Sequence, residues 1–211
     1  MKQLRLTMSM FCVVVALGAC GGEPADTDES AMREAINEAL ARFDAACIHP
    51  PLAARGDVFP ATVEAAANGG EWLRKMESLE AVGFFTGSPV QVQGRPAKTF
   101  RLTERGQGVY RQETSGLGIH THLFCYGSPE VVEILAYTDQ VDMPTGGTMT
   151  QVTFTYAVRD AAGWARDSAV REAFAEIDQD LASSQTPQEG QVVLVKTGEG
   201  WIDQRLMQQS P

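Results

Sequence analysis

The chain has 211 residues, is 44% hydrophobic, and carries 17 basic against 27 acidic side chains, for a formal net charge of −10. This hydrophobic fraction is typical of a folded domain with a substantial core and excludes a disordered tail. The negative charge repels phosphate backbones at range, so we do not expect nucleic acid as a partner.

The start of the chain has the layout of a secretion signal. Lys2 and Arg5 form a basic segment, and an apolar run from Met8 to Leu17 follows it. This run is too short to span a bilayer, which needs about 20 apolar residues. We therefore expect residues 1–19 to be removed as a signal peptide. Losing Lys2 and Arg5 would take the formal charge from −10 to about −12.

The leader ends in Leu17-Gly18-Ala19-Cys20, which resembles the lipobox of bacterial lipoproteins. The resemblance implies that Cys20 carries diacylglycerol and becomes the first residue of the mature protein. Gly21 stands where the family's inner-membrane retention signal has Asp, which implies delivery to the outer membrane. The alternative is a plain secretion signal with an incidental cysteine. The remainder of 20–30 is rich in Gly, Pro and acidic residues, which predicts a flexible tether.

The cysteine count indicates one disulfide. Cys12 would leave with the leader and Cys20 would carry the lipid, so that Cys47 and Cys125 remain. An oxidising compartment favours a disulfide between a single leftover pair. The alternative is two separate buried thiols, since free cysteine behaves as a small hydrophobic residue.

The first half of the chain reads as mostly helical. A helix is expected from Ser30 to Cys47, because Met32, Ile36, Leu40, Phe43 and Cys47 recur at helical spacing, and Pro50-Pro51 would stop it. Further helical pieces are expected at 61–68 and 71–82, the second directing Trp72, Met76 and Leu79 inward. A loop at 87–97, a strand at Lys98–Leu102 and a short helix capped by Thr103 should follow.

Residues 72–110 contain WLRKMESLEAVGFF and TFRLTERGQGVY, which are similar to the recognition helix and wing of winged-helix domains. The resemblance implies a winged-helix-like topology for this part of the chain. DNA binding is not carried over, because the helix has Glu71, Glu77 and Glu80 against Arg74 and Lys75.

The second half reads as an antiparallel sheet. Strands are expected at Leu123–Tyr126, Val131–Thr138, Gln151–Arg159, Gln191–Thr197 and Trp201–Ile202, with one helix from Asp167 to Leu181. The predicted fold is therefore α+β, with residues 31–211 forming one domain. A helical lobe at 31–118 precedes a sheet lobe at 119–211 that carries one packed helix.

Candidate chemistry is sparse. His120 and His122 would project from one face of a strand about 7 Å apart, which suits one divalent metal if His49 or Glu113 supplied a third ligand. The alternative is two polar residues on an exposed strand edge. Neither a nucleophile elbow nor a CxxC pair nor a phosphate loop is found, so we predict no catalytic residue and no cofactor.

The motifs Phe124-Cys125-Tyr126-Gly127, Trp164-Ala165 and Gly200-Trp201 resemble those of small bacterial envelope lipoproteins. The preferred hypothesis is a non-enzymatic accessory protein, held by lipid on Cys20 at the periplasmic face of the outer membrane and contacting an envelope protein. One alternative is a metal- or small-molecule-binding periplasmic protein that uses the open face of the sheet. Another alternative is a hydrolase of envelope material.

Overall fold

The structure, a computed structural model, describes residues 25–53, 58–144 and 146–208. The predicted signal peptide, the lipobox and Cys20 lie outside these residues. The helices are α1 (Ala25–Phe43), α2 (Glu71–Ala81), α3 (Glu104–Gln107), α4 (Ser168–Ala173), α5 (Glu176–Ala182) and α6 (Gln204–Met207). The strands are β1 (Ala46–Ile48), β2 (Ala61–Glu64), β3 (Phe85–Val92), β4 (Arg95–Leu102), β5 (Tyr110–Thr114), β6 (His120–Tyr137), β7 (Val141–Asp142), β8 (Thr148–Arg159), β9 (Gln188–Thr197) and β10 (Gly200–Asp203).

The strands form two antiparallel sheets. The large sheet has the order β1-β6-β8-β9-β10, with β5 added to β6 and β7 added to β8. The small sheet has the order β2-β4-β3. Helices and antiparallel sheets in one chain confirm the predicted α+β class.

The longest strand, β6, organises the molecule. It replaces the two separate strands predicted at 123–126 and 131–138, and at 3.3 Å per residue it extends about 55 Å. Its first half pairs with β1 and β5, and its second half pairs with β8. The two halves of β6 therefore contribute to two different hydrophobic cores.

One core lies between α1 and the second half of the large sheet. Met32, Ile36 and Leu40 recur every four residues along α1 and are buried against sheet residues that include Phe154 and Leu194. Burying side chains of this size contributes roughly 1.5–3 kcal/mol each relative to exposure. This packing places α1 on the large sheet.

The other core joins the small sheet to the first half of β6. Met76 and Leu79 of α2 pack with Phe84, Phe85 and Phe124, together with Ile177 of α5. Aromatic rings dominate the contact, and Phe84 stacks on Phe124 with ring centroids 5.5 Å apart.

The N-terminal lobe differs from the prediction of a helical lobe at 31–118. Residues 61–64 form strand β2, which pairs with β4, where a helix at 61–68 was expected. Thr62 and Val63 are β-branched and suit a pleated surface, and this pairing outweighs the local helical pattern. Since α1 packs on the large sheet, the lobe is a three-stranded sheet with α2. A winged helix is not confirmed.

A hairpin replaces the loop predicted at 87–97. Strands β3 and β4 pair over their full length. Gln93 and Gly94 both have positive φ, 50° and 76°, which is the backbone of a tight hairpin turn. The predicted cap of the following helix is confirmed, because Thr103 Oγ1 accepts a hydrogen bond from the Gly106 N–H at 3.0 Å.

Both ends of α1 also differ from the prediction. The helix begins at Ala25, within the predicted tether, and Asp28 is held by side chains of the large sheet. The helix ends at Phe43 rather than Cys47, because Ala46–Ile48 pair with β6 as strand β1. The helix predicted over 167–181 is divided into α4 and α5 at Phe174, whose backbone is not helical (φ −132°, ψ 81°). No helix among the described residues is long and apolar enough to cross a membrane.

Candidate functional site

The predicted disulfide lies in the large sheet. Cys47 and Cys125 are direct partners in the β1–β6 ladder, and their Sγ atoms are 2.06 Å apart, which confirms the bond. It links positions 78 residues apart in the sequence. The bond therefore fastens the segment after α1 to the central strand.

The two histidines of the H-x-H pair lie together on β6, with ring centroids 6.2 Å apart. His122 is buried, contrary to the alternative of an exposed edge. Its Nε2 donates to the carbonyl oxygen of Ala53 at 2.7 Å, and its Nδ1 lies 2.8 Å from Tyr110 Oη. Both ring nitrogens of His122 thus have protein partners, so a metal would have to displace one of them.

The proposed third ligands do not join the pair. Gln112 and Thr114 of β5 oppose His122 and His120, whereas Glu113 opposes Thr121 and projects from the other face of the ladder. Among the residues described, no group of three or more His, Cys, Asp or Glu side chains could hold a metal ion. The geometry of His122 is that of a structural side chain linking β5, β6 and the segment after β1.

A second polar network fastens α5 to the sheet. Tyr126 Oη donates to Asp180 Oδ2 at 2.5 Å, and Gln188 Nε2 donates to Asp180 Oδ1 at 3.3 Å. Burial, and secondly the hydrogen bond to Asp180, raise the pKa of Tyr126 far above its ordinary value. Such a tyrosine keeps its proton at neutral pH and acts as a donor.

The open face of the large sheet is polar along β8 and β9. Gln151 Nε2 donates to Gln191 Oε1 at 3.0 Å across the two strands. A cavity of about 390 Å³ lies at this face, and its charged lining residues, Asp203 and Arg205, are paired with each other. This pairing neutralises the charges that a small ligand would otherwise meet.

The three tryptophans occupy different environments. Trp164 is buried between Phe84 and Tyr126, with ring centroids 5.0 and 5.8 Å away. Trp201 is buried beside α1. Trp72, predicted to point inward, is 45% exposed in the first turn of α2.

Trp72 lies at a mainly apolar groove of about 520 Å³ in the N-terminal lobe. Thr62 and Glu64 add polar groups to an apolar lining that consists of Pro51, Leu52, Ala53, Val63, Ala67 and Trp72. Glu64 is paired with Arg95 at 3.0 Å. The groove thus combines an exposed indole with apolar walls, as protein contact surfaces commonly do. The helical spacing of Trp72 and Met76 predicted that both side chains point inward, so the sequence pattern did not indicate that Trp72 is exposed.

Three exposed apolar side chains lie near the other end of β6 and on β7, along one edge of the large sheet. Leu135, Tyr137 and Val141 are 47%, 52% and 59% exposed, and we refer to them as the apolar tip. Tyr137 lies thirteen residues beyond Phe124, so about 40 Å of strand separates the tip from the part of β6 that packs on the N-terminal lobe. The run Ile134-Leu135-Ala136-Tyr137 does not alternate polar and apolar residues, and this signal could have identified the tip.

The same end of the sheet holds the start of α1. Asp28 accepts hydrogen bonds from Trp201 Nε1 at 2.8 Å and from Lys196 Nζ at 3.3 Å. Lys196 pairs with Thr148, and Thr148 pairs with Asp142 of β7. The chain therefore enters the domain at the apolar tip and not at the Trp72 groove.

No protein-family model matches the chain, and no curated protein or solved structure shows significant similarity to it.

Proposed function

We propose that this chain is a lipid-anchored envelope protein, held through Cys20 at the periplasmic face of the outer membrane, with an accessory role in which its domain binds another envelope protein. The observation that carries the proposal is the Cys47–Cys125 disulfide. Disulfides persist in oxidising compartments outside the cytoplasm. The lipobox-like Leu17-Gly18-Ala19-Cys20 directs a chain to the same side of the membrane.

The Trp72 groove is the surface that we assign to the partner. Tryptophan is enriched at the energetic centres of protein interfaces, because one side chain supplies a large rigid apolar area. The chain enters at the end of β6 that lies about 40 Å of strand away from the part packed on the N-terminal lobe, so the anchor leaves the groove in that lobe accessible. A partner would insert an apolar side chain against Trp72, Val63 and Leu52.

Substitution of Cys20 tests the anchor. The Cys20→Ser variant should remain an uncleaved precursor that incorporates no labelled palmitate during growth, because serine offers no sulfur for the thioether. Cys12→Ser is the matched control, since Cys12 lies within the apolar part of the leader. It should be cleaved and labelled like the wild type. A Cys20→Ser chain that is still cleaved and labelled would contradict the anchor.

Site-specific crosslinking tests the partner surface. A photo-reactive amino acid at Trp72 should give a discrete adduct with an envelope protein in living cells. Val90 is the control, because it is also exposed and apolar and lies in the same lobe, but outside the groove. Identical adducts from both positions, or none from Trp72, would contradict the assignment of the groove.

A further inference from the structure

We infer that the apolar tip, Leu135, Tyr137 and Val141, rests on the bilayer surface that holds the lipid anchor; this inference depends on the proposed lipidation of Cys20. The covalent chain limits how far the lipid anchor can lie from α1. Five Cα–Cα steps of 3.8 Å join Cys20 to Ala25, where α1 begins, so these two Cα atoms are at most about 19 Å apart. A lipid on Cys20 therefore keeps the start of α1 near the membrane.

Hydrogen bonds connect the start of α1 to the end of the sheet that carries the tip. Asp28 lies one helical turn after Ala25 and is bound to Trp201 and Lys196. From Lys196 the ladder continues through Thr148 of β8 to Asp142 of β7. The entry of the chain and the tip thus share one end of the large sheet, and bringing the first to the bilayer brings the second with it.

The side chains of the tip suit the headgroup region of a bilayer. Tyr137 combines an aromatic ring with a polar hydroxyl, the combination that favours the headgroup region of a bilayer. Leu135 and Val141 add aliphatic surface that water otherwise contacts. Tyr137 pairs with Val152 and Val141 pairs with Met149, so the two side chains project from opposite faces of the sheet, and the edge formed by β6 and β7 is what enters the headgroups. The polar segment 138–140 lies between them and keeps the insertion shallow.

The charges near the tip favour a zwitterionic lipid headgroup over an anionic one. Asp139 and Asp142 are exposed there, and Lys196 is paired with Asp28. This acidic end repels anionic headgroups, so the contact is with a zwitterionic surface and depends on apolar insertion. Adding an anionic lipid should weaken the contact.

The experiment uses the full lipidated protein with single cysteines introduced for an environment-sensitive fluorophore. Cys47 and Cys125 are joined in the disulfide, and Cys20 would be acylated, so an added cysteine is the one reactive thiol expected. The labelled variants are Tyr137→Cys and Val141→Cys. Leu117→Cys is the control, because Leu117 is 78% exposed at the turn before β6, the far end of that strand. Each protein is incorporated into phosphatidylcholine vesicles with or without a doxyl-labelled phosphatidylcholine.

We expect the fluorophores at 137 and 141 to shift to the blue and to lose severalfold more fluorescence to the doxyl lipid than the fluorophore at 117. Replacing part of the lipid by phosphatidylglycerol should reduce this loss. Equal quenching at 117 and 137 would overturn the inference. A blue shift at 137 without doxyl quenching would also overturn it, because burial against a second copy of the chain gives that result. Failure of all three variants to float with vesicles would defeat the anchor itself, and the inference with it.

Discussion

Trp201 donates its indole N–H to the carboxylate of Asp28, 2.8 Å away and 173 residues earlier in the chain. The bond joins the first turns of α1 to the final hairpin, and Lys196 adds an ion pair to the same carboxylate. Both contacts lie at the end of the sheet that carries the apolar tip. This carboxylate therefore fastens the first turns of α1 to the final hairpin, in addition to the apolar packing of the helix.

Substituting Asp28 should destabilise the protein modestly. Asp28→Ala leaves the largely buried Trp201 N–H without its partner and should cost about 1 kcal/mol of stability. This is below the usual value of about 1.5–3 kcal/mol for a hydrogen bond to a charged group, because Asp28 is 41% exposed and solvent screens its charge. Asp28→Asn keeps an acceptor oxygen for the Trp201 N–H and should lose less stability than Asp28→Ala. Urea unfolding monitored by tryptophan fluorescence measures both, and equal losses would contradict the role of the hydrogen bond.

The contribution of Asp28 should also depend on pH. The hydrogen bond from Trp201, together with Lys196, lowers the pKa of Asp28 below its ordinary value. The stabilisation is therefore complete above the unfolded-state pKa of about 3.9 and is lost as the pH falls through the lower folded-state value. The stability difference between wild type and Asp28→Ala should hold from about pH 7 to 5 and narrow below about pH 4. A difference that widens on acidification would contradict this sign.

Removing the disulfide should have the largest effect on stability. A bond across 78 residues restricts the unfolded chain by about 4 kcal/mol in the chain-entropy model. The Cys47→Ala/Cys125→Ala double variant should therefore unfold at much lower urea concentration. The wild type with reductant should match it, and a reductant-insensitive wild type would show that the bond does not form.

Alkaline conditions should expose the role of Tyr126. Its raised pKa means that the unfolded chain loses the tyrosine proton near pH 10 while the folded protein keeps it. Stability from this group is thus complete below about pH 10 and declines as the pH rises further. Tyr126→Phe loses the hydrogen bond to Asp180 and should therefore be about 1 kcal/mol less stable than the wild type at pH 7. This difference in stability should shrink above about pH 10, where the wild type itself loses stability. A deficit that is constant from pH 7 to 11 would contradict the account.

The histidines should behave as structural residues. Because both ring nitrogens of His122 have protein partners, zinc added to the purified protein should leave the thermal unfolding midpoint unchanged. His122→Phe should reduce the free energy of unfolding by roughly 1–3 kcal/mol, because the Tyr110 hydroxyl and the Ala53 carbonyl are left without their hydrogen-bond partner. Zinc stabilisation of the wild type that disappears in His120→Ala would instead establish a metal site.

The sequence pattern correctly predicted those helices and strands whose buried side chains follow the repeat of a helix or a strand. Met76 and Leu79 recur at helical spacing and are buried in α2, and alternation along 151–159 matches the observed β8. Thr103 was identifiable as a helix cap because its side chain acts on the adjacent turn. The pairing of Cys47 with Cys125 followed from the cysteine count and the expected compartment, and needed no knowledge of the fold.

The mistakes arose where long-range pairing decides the local conformation. Cys47 continues the helical pattern of α1, yet its segment becomes a strand because β6 lies beside it. Val63 becomes part of a strand through its pairing with Lys98. The exposure of Trp72 depends on neighbours from separate parts of the chain, which spacing within one helix cannot reveal.

The intact mass of the protein isolated from membranes tests the central claim most directly. We predict a chain that begins at Cys20, carries the added mass of diacylglycerol, with or without an N-terminal acyl group, and has lost two hydrogens through the Cys47–Cys125 disulfide. An unmodified chain, or one that still begins at Met1, would contradict the lipid anchor and with it the proposed placement of the domain.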